Sequence, residues 1–393
     1  MNVVITGMGI ISSLGKNLEE NRTNLFSGKT CITLPEFLQT HNSHFSVGEV
    51  KYSDNSLQQM ASADDKKRSR SAYLSVISAK EALKDAGIEP GLYPGKTALL
   101  SGSTVGGMRE TEIIYKDYFH NDFEGEYLEN HEGASTVEDL ADLLKTDLNI
   151  SVNTACSSSL NTIMAGVRLI KNGMCDLAIV GGADALSKFT LNGFNSLLLL
   201  DKDICRPFDR ERRGINLGEA AGFLVLESEE SASKRNKKPY ALVAGYGNAN
   251  DAFHPSSSSE EVTGLQLSMT KALKEAELSP SHIDYINAHG TGTRNNDSTE
   301  IASMKKIFGT VPVFSSTKSL TGHCLAAAGV VESIFSVISL QENKPVANYN
   351  FQHPIEDILP YTGEAFGGEI RHVMNNSIAM GGFWSTLIFS KLS

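Results

Sequence analysis

Three short segments of the sequence return later in the chain, in the same order. Val4-Ile5-Thr6-Gly7-Met8-Gly9 is echoed by Leu242-Val243-Ala244-Gly245-Tyr246-Gly247. Thr154-Ala155-Cys156-Ser157, with Ala165-Gly166-Val167 behind it, is echoed by Thr317-Lys318-Ser319-Leu320 with Ala328-Gly329-Val330. Ala178-Ile179-Val180-Gly181-Gly182 is echoed by Ile378-Ala379-Met380-Gly381-Gly382. The order predicts two related halves, 1–238 and 239–393. The first half carries more sequence between matching segments, which predicts an inserted helical cap over about 15–150. Short β-branched runs (Val3–Ile5, Thr97–Ser101, Leu177–Val180, Phe223–Glu227, Leu242–Gly245, Tyr285–Ala288, Val313–Ser315, Ser377–Met380) alternate with alanine-rich amphipathic stretches such as Ala72–Ala86, Ser158–Lys171, Val262–Ala276 and Ala326–Gln341. That alternation predicts a layered α/β fold.

Composition narrows the class. With 393 residues, 40% hydrophobic and 21% charged, the chain is neither disordered nor a disulfide scaffold. No uninterrupted apolar run approaches the ~18 residues of a bilayer span, and the N-terminus lacks the basic region of an export signal. Five cysteines without a Cys-x-x-Cys pair suit a reduced, cytoplasmic setting. A net charge of −11 argues against a nucleic-acid binder, yet positive charge gathers at Lys66-Lys67-Arg68-Ser69-Arg70 and from Arg206 to Arg213. Such clusters are either solvated faces or docking sites for an acidic partner.

Several familiar motifs fail. Gly7-x-Gly9 is followed by Ser12 where a dinucleotide fingerprint needs glycine. Gly91 to Thr97 is one residue short of a P-loop and leads into a strand. Ser315-x-x-Lys318 lacks the Lys-Thr-Gly element of a penicillin-binding site. No His-Glu-x-x-His occurs, and His282 and His289 lack metal-ligand spacing.

One constellation holds. Cys156 stands where a strand turns into an alanine-rich helix, and a helix N-terminus favours a thiolate and offers N–H groups to an oxyanion. Taken alone, a small cysteine at such a turn is as readily structural. Asn287-Ala288-His289-Gly290-Thr291-Gly292-Thr293 adds a histidine at a strand end, and Ser315 to His323 adds Lys318 and a second histidine. One thiol and two imidazoles suit carbon–carbon condensation better than hydrolysis. The thiol takes an acyl group, and the imidazoles stabilise an enolate as a β-carboxylate leaves as CO₂.

From Val3 to the C-terminus, these motifs resemble the β-ketoacyl-acyl carrier protein synthases of the elongating, Cys-His-His kind. The resemblance implies a thiolase-like, five-layered α-β-α-β-α fold, internally duplicated. It implies Cys156 as nucleophile, His289 and His323 as the imidazole pair, Lys318 with Glu300 as its ion-pair partner, and Asp297 as the acid of the His-Gly-Thr loop. It places Thr291 and Thr293 on the pantetheine arm, and Met380 and Gly381 at the acyl gate. Asn287, Glu332, Asn375 and Asn376 fall where some members hold a monovalent cation; no cofactor is implied. The implied partner is an acyl carrier protein, docked through Lys66, Lys67, Arg68, Arg70, Lys202 and Arg206. The implied assembly is a homodimer, or a heterodimer with a related subunit, joined along Leu177–Val180 with Leu191–Leu200 beside it. The family's Gly-Phe-Gly-Gly-Thr-Asn appears as Ala379-Met380-Gly381-Gly382-Phe383-Trp384, which predicts bulk at the gate and a preference for stiff acyl chains. A non-condensing, chain-length-factor-like subunit is the alternative; such subunits typically lack the cysteine that this chain has.

Overall fold

The computed structural model describes residues 1–61, 66–118, 129–254 and 263–392. The serine run Ser256–Ser259, which the sequence alone marks as a short loop, lies outside them. The first five strands are β1 (Val3–Ser12), β2 (Thr97–Gly102), β3 (Leu148–Val152), β4 (Leu177–Asp184) and β5 (Ala220–Ser228). The next five are β6 (Ala241–Asn250), β7 (Tyr285–Asn287), β8 (Val313–Ser315), β9 (His372–Ala379) and β10 (Phe383–Ser390). Their spatial order is β3-β2-β4-β5-β1-β6-β10-β9-β7-β8. Read from its outer end, the second series reproduces the first strand for strand. Directions agree as well: β2 is parallel to β3 and β4, as β7 is to β8 and β9, and the remaining pairs within each series are antiparallel. The series meet only at Val4↔Leu242 and Ile5↔Ala241.

Helices of the first half are α1 (Leu18–Leu25), α2 (Asp54–Ala61), α3 (Arg70–Ala86), α4 (Met108–Tyr118), α5 (Gly133–Leu144), α6 (Ser158–Lys171), α7 (Lys188–Ser196) and α8 (Glu229–Lys234). Those of the second are α9 (Thr263–Glu275), α10 (Arg294–Phe308), α11 (Lys318–Thr321) and α12 (Ala328–Glu342). α6 and α12 touch each other and strands of both series, so they form the middle layer. α3 and α5 cover one outer face, and α9 and α10 the other. This is the five-layered thiolase-like arrangement. Strand alternation divides the cores: Ala178 and Val180 of β4 face the middle layer, while Leu177 and Ile179 face α3. The stretch Leu325–Glu342 is apolar enough on average to cross a membrane, but 89% of it is buried as that middle layer.

The repeated glycines have one cause. A Cβ on Gly7 would lie 2.2 Å from the Ala82 carbonyl, and one on Gly245 would lie 2.2 Å from the Ala272 carbonyl. At both places a helix backbone presses onto a strand backbone, leaving no room for a side chain. The third echo joins equivalent strands but not equivalent positions, because Gly181-Gly182 lies inside β4 and Gly381-Gly382 in the turn after β9.

Two expectations change. Residues 15–150 are not one cap, since α3, β2 and β3 within them match α9, β7 and β8. The stretches without a counterpart lie between β1 and α3 and between β2 and β3. Leu177–Val180 also cannot carry a subunit joint, because β4 is paired on both sides by β2 and β5. Among the described residues the open sheet edges are β3 and β8.

Candidate active site

Asn153–Ser157 make a tight elbow between β3 and α6. Ala155 takes a left-handed φ of +51°, and Asn161 Nδ2 steadies the elbow by donating to Thr154 Oγ1 at 2.8 Å. Across the middle of the molecule, Ser377 Oγ on β9 donates to the Cys156 carbonyl at 3.1 Å. Each half therefore holds part of the nucleophile. The backbone N–H groups of Met380 and of Cys156 itself lie close enough to the sulfur to favour its anion. Burial nonetheless, with the Asp184 carboxylate adding to it, pushes the Cys156 thiol up to about 11, outweighing Lys318 and these two N–H groups. The expectation of a favoured thiolate is thus corrected: the resting group is a thiol, because dry surroundings cost the anion more than the helix end returns.

His289 follows β7 and His323 follows α11. Their rings stand edge to face, centroids 5.2 Å apart, and both share the cavity of Cys156. Burial first, and then Lys318, holds both imidazoles well below their ordinary value, so both are neutral. Leu325 N–H donates to His323 Nδ1 at 3.0 Å, which leaves the ring hydrogen on Nε2. Lys318 Nζ lies 3.2 Å from His289 Nδ1 and donates to the His289 carbonyl at 2.6 Å, leaving His289 the same tautomer. The cavity thus holds a thiol and two imidazole N–H donors.

The acids divide differently from expectation. Lys318 pairs with Glu332, not with Glu300. Glu300 instead accepts the N–H groups of His289 at 2.8 Å and Gly290 at 2.9 Å. Asp297 accepts those of Thr291, Gly292 and Phe208. These two carboxylates set the backbone of the histidine loop. Thr291 and Thr293 line the cavity, with their hydroxyls 2.9 Å apart.

The cavity has a volume of about 520 Å³. Met380 and Gly381 line it as predicted. Trp384 touches it too but is 1% exposed and anchored in the outer core, so it supports the hairpin more than it fills a gate. Sequence reasoning missed Phe194, Leu198, Ile215 and Ile378 on the apolar wall, and Arg213 and Arg294 among the polar lining. Arg294 directly follows the threonine-rich loop that reasoning did find, and Arg213 ends the basic run from Arg206; nothing local marks the apolar residues as cavity lining.

Three of the four expected cation ligands keep an unpartnered oxygen. Asn287 Oδ1, Asn375 Oδ1 and Glu332 Oε2 are buried with no partner. Asn287 and Asn375 are register partners on β7 and β9, and Asn287 Nδ2 donates to the Glu332 carbonyl. Three orphaned hard oxygens in one neighbourhood fit a monovalent cation. Asn376 does not join them, because its Oδ1 accepts from Thr386 Oγ1 at 2.9 Å.

The docking run is split by burial. Lys66 and Lys67 are exposed, as is Lys202, and Arg206 is half-buried. Arg68 and Arg70 are 4% and 0% exposed and cannot meet a partner. Arg68 lies against Asp139, and Arg70 binds Glu219, Asp54 and the Val50 and Tyr52 carbonyls.

Comparison with known proteins agrees with this geometry. The family described as "Beta-ketoacyl synthase, N-terminal domain" matches residues 1–232, and "Beta-ketoacyl synthase, C-terminal domain" matches 240–352. The chain is 32% identical to 3-oxoacyl-[acyl-carrier-protein] synthase 2 of Staphylococcus aureus (strain MRSA252), over 100% of this chain and 98% of that protein. It superposes on the ishigamide ketosynthase/chain length factor with a TM-score of 0.93 at 28% identity, covering 100% of this chain and 99% of that one. It also superposes on a ketosynthase (ApeO) in complex with its chain length factor (ApeC) from Xenorhabdus doucetiae, with a TM-score of 0.85, 30% identity, and 100% and 98% coverage.

Proposed function

The chain belongs to the β-ketoacyl synthase family, and on that premise we propose that it performs decarboxylative Claisen condensation through Cys156. It lengthens a fatty-acid, polyene or polyketide chain by two carbons. In the first half-reaction the Cys156 sulfur attacks the thioester carbonyl of an acyl carrier protein. The N–H groups of Cys156 and Met380 receive the developing oxyanion, and the carrier thiol leaves with the proton. In the second, malonyl carrier protein loses CO₂. The electron pair of the broken carbon–carbon bond becomes an enolate, whose oxygen accepts from the Nε2–H groups of His289 and His323. The enolate carbon then attacks the acyl-Cys156 carbonyl, and the sulfur departs as the β-ketoacyl carrier forms.

The observation carrying this reading is the pair of groups that stand behind the imidazoles. Both Nδ1 atoms are occupied from behind, by Leu325 N–H and Lys318, so two neutral donors are aimed at one oxygen and no general base is needed there. Lys318 and Glu332 serve as positioning groups behind His289. A monovalent cation held by Asn287, Glu332 and Asn375 would supply charge to these orphaned oxygens and stiffen the β7–β9 junction.

For the partner, the exposed Lys66, Lys67 and Lys202, with Arg206, remain the docking groups for an acidic carrier. A paired subunit, identical or related, would meet the open edge of β3. Five free thiols fit a reducing compartment, and we place the reaction in the cytoplasm. Product analysis with a panel of acyl primers and malonyl carrier protein tests the reading. A β-ketoacyl carrier two carbons longer than each accepted primer supports it; free acid or unextended primer contradicts it.

A further inference from the structure

Asp184 ends β4 and is fully buried; its charge adds to the burial that raises the Cys156 thiol, and no step above assigns it a further role. Its Oδ1 accepts from Ser103 Oγ at 2.7 Å, Thr104 N at 3.0 Å and Val105 N at 3.2 Å. Its Oδ2 accepts from Thr104 Oγ1 and from Ala326 N at 2.8 Å. The carboxylate therefore ties the loop after β2, in one half, to the segment just past His323, in the other.

That segment is strained. Leu325 has a φ of +49°, a left-handed conformation that a leucine adopts only when its surroundings impose it. The turn directs two successive N–H groups in different ways: Leu325 N–H to His323 Nδ1 at 3.0 Å, and Ala326 N–H to Asp184. The backbone of His323 is pinned separately, its N–H on the Asn216 carbonyl and its carbonyl on Gly218 N–H. What remains adjustable is the turn, and beside its own Ala327 N–H to Cys324 carbonyl bond Asp184 is the side chain holding it.

We propose that Asp184 is a positioning residue for His323: by holding the Leu325 turn it keeps Leu325 N–H on Nδ1 and so keeps the imidazole hydrogen on Nε2, toward Cys156. The inference rests on the condensing function proposed above. A carboxylate suits the task because every group facing it is a donor. An asparagine would turn one of its two acceptor atoms into a donor and set it against an N–H or hydroxyl.

The test compares wild type with Asp184→Asn in two assays and one spectrum. Decarboxylation of a malonyl thioester is expected to fall about tenfold, the effect of one misdirected charge-assisted hydrogen bond. Acyl loading of Cys156 makes no demand on the His323 tautomer and is expected not to fall, because removing the Asp184 charge only eases ionisation of the Cys156 thiol. Spectra of protein labelled with ¹⁵N-histidine should show His323 as the Nε2–H form in wild type and as a mixture in the variant. Adding Leu325→Gly to Asp184→Asn should recover part of the decarboxylation, because glycine takes a left-handed φ without help. An unchanged tautomer, a wild-type decarboxylation rate, or parallel loss of loading and decarboxylation in the folded variant would overturn the role of Asp184. A wild-type enzyme that does not decarboxylate would instead remove the condensing function, and the tautomer spectrum would still decide what Asp184 does.

Discussion

Replacing Arg70 by methionine separates the two meanings of the basic run at 66–70. If Arg70 docks the carrier, the variant folds normally and shows a higher KM for carrier-bound substrate alone. The structure predicts the opposite. The Arg70 guanidinium is fully buried and gives Glu219 hydrogen bonds of 3.0 Å from Nε and 2.7 Å from Nη2. Burial works against the charge on each partner. It is overcome for Arg70 by Glu219 and Asp54, which raise the guanidinium, and for Glu219 by Arg70, which holds the carboxyl below its ordinary 4.5. Arg70→Met leaves Glu219 ionised in the core with the Val50 and Leu186 N–H groups and the Arg109 charge, but no paired cation. Breaking a buried pair this way costs about 3–5 kcal/mol. With about 2.1 cal/mol/K of unfolding entropy per residue over 393 residues, that is a Tm loss of roughly 4–6 °C. The depressed Glu219 stabilises the fold above its ordinary value near 4.5 and loses that contribution as pH falls through the depressed one. The deficit should therefore be full at neutral pH and shrink in acid. Adding Glu219→Gln, which removes the stranded charge, should recover part of the loss. Differential scanning calorimetry with parallel kinetics on carrier-bound and free pantetheine thioesters provides the assay. An unchanged Tm with a KM effect confined to the carrier substrate would refute the reasoning.

Four other outcomes are expected. Iodoacetamide should alkylate Cys156 faster as pH rises, without levelling off below about pH 9, because the buried thiol sits at about 11; a plateau below neutrality would contradict this. His289→Ala and His323→Ala should each keep acyl loading while CO₂ release falls by about 10²–10⁴-fold, measured with labelled malonyl thioester. Met380→Pro removes an N–H close to the sulfur and should cut loading by about 10²–10³-fold, whereas Met380→Phe should load normally and shift the preference between saturated and polyenoyl thioesters of equal length. Lys67→Glu should raise KM for carrier-bound substrate, an effect weakened by salt, and leave free pantetheine thioesters unaffected.

The duplication was legible because it is written in glycines that have one steric reason, visible at Gly7 and Gly245. The helix Ser158–Lys171 and most strands were legible from periodicity. β10 was not, and β3 was read only as the strand leading to Cys156, without bounds. β3 is a short edge strand, Leu-Asn-Ile-Ser-Val, with alternate residues in water. β10 opens on Phe383 and Trp384, whose bulk looks like a gate until its pairing with β6 and β9 is seen. At the site, the sequence singled out Cys156, His289, His323, Lys318, Thr291 and Thr293, which the fold gathers around one cavity or directly behind it. It misassigned partners, because pairing of Lys318 with Glu332 or Glu300 depends on how α12 and α10 approach the histidine loop. It misread the 66–70 run because lysines and arginines look alike in a charge count. Helix phase and the capping of α3 by Ser69 decide which of them enter the core.

The most direct test of the central claim is peptide-mapped mass spectrometry of the protein after incubation with an acyl carrier thioester, followed by addition of malonyl carrier protein. The account predicts one acyl adduct, on the peptide containing Cys156, which disappears on malonyl addition as CO₂ and a β-ketoacyl carrier two carbons longer appear in equal amounts. An adduct on Cys31, Cys175, Cys205 or Cys324, or a Cys156 adduct that malonyl carrier protein does not discharge into a longer chain, would contradict it.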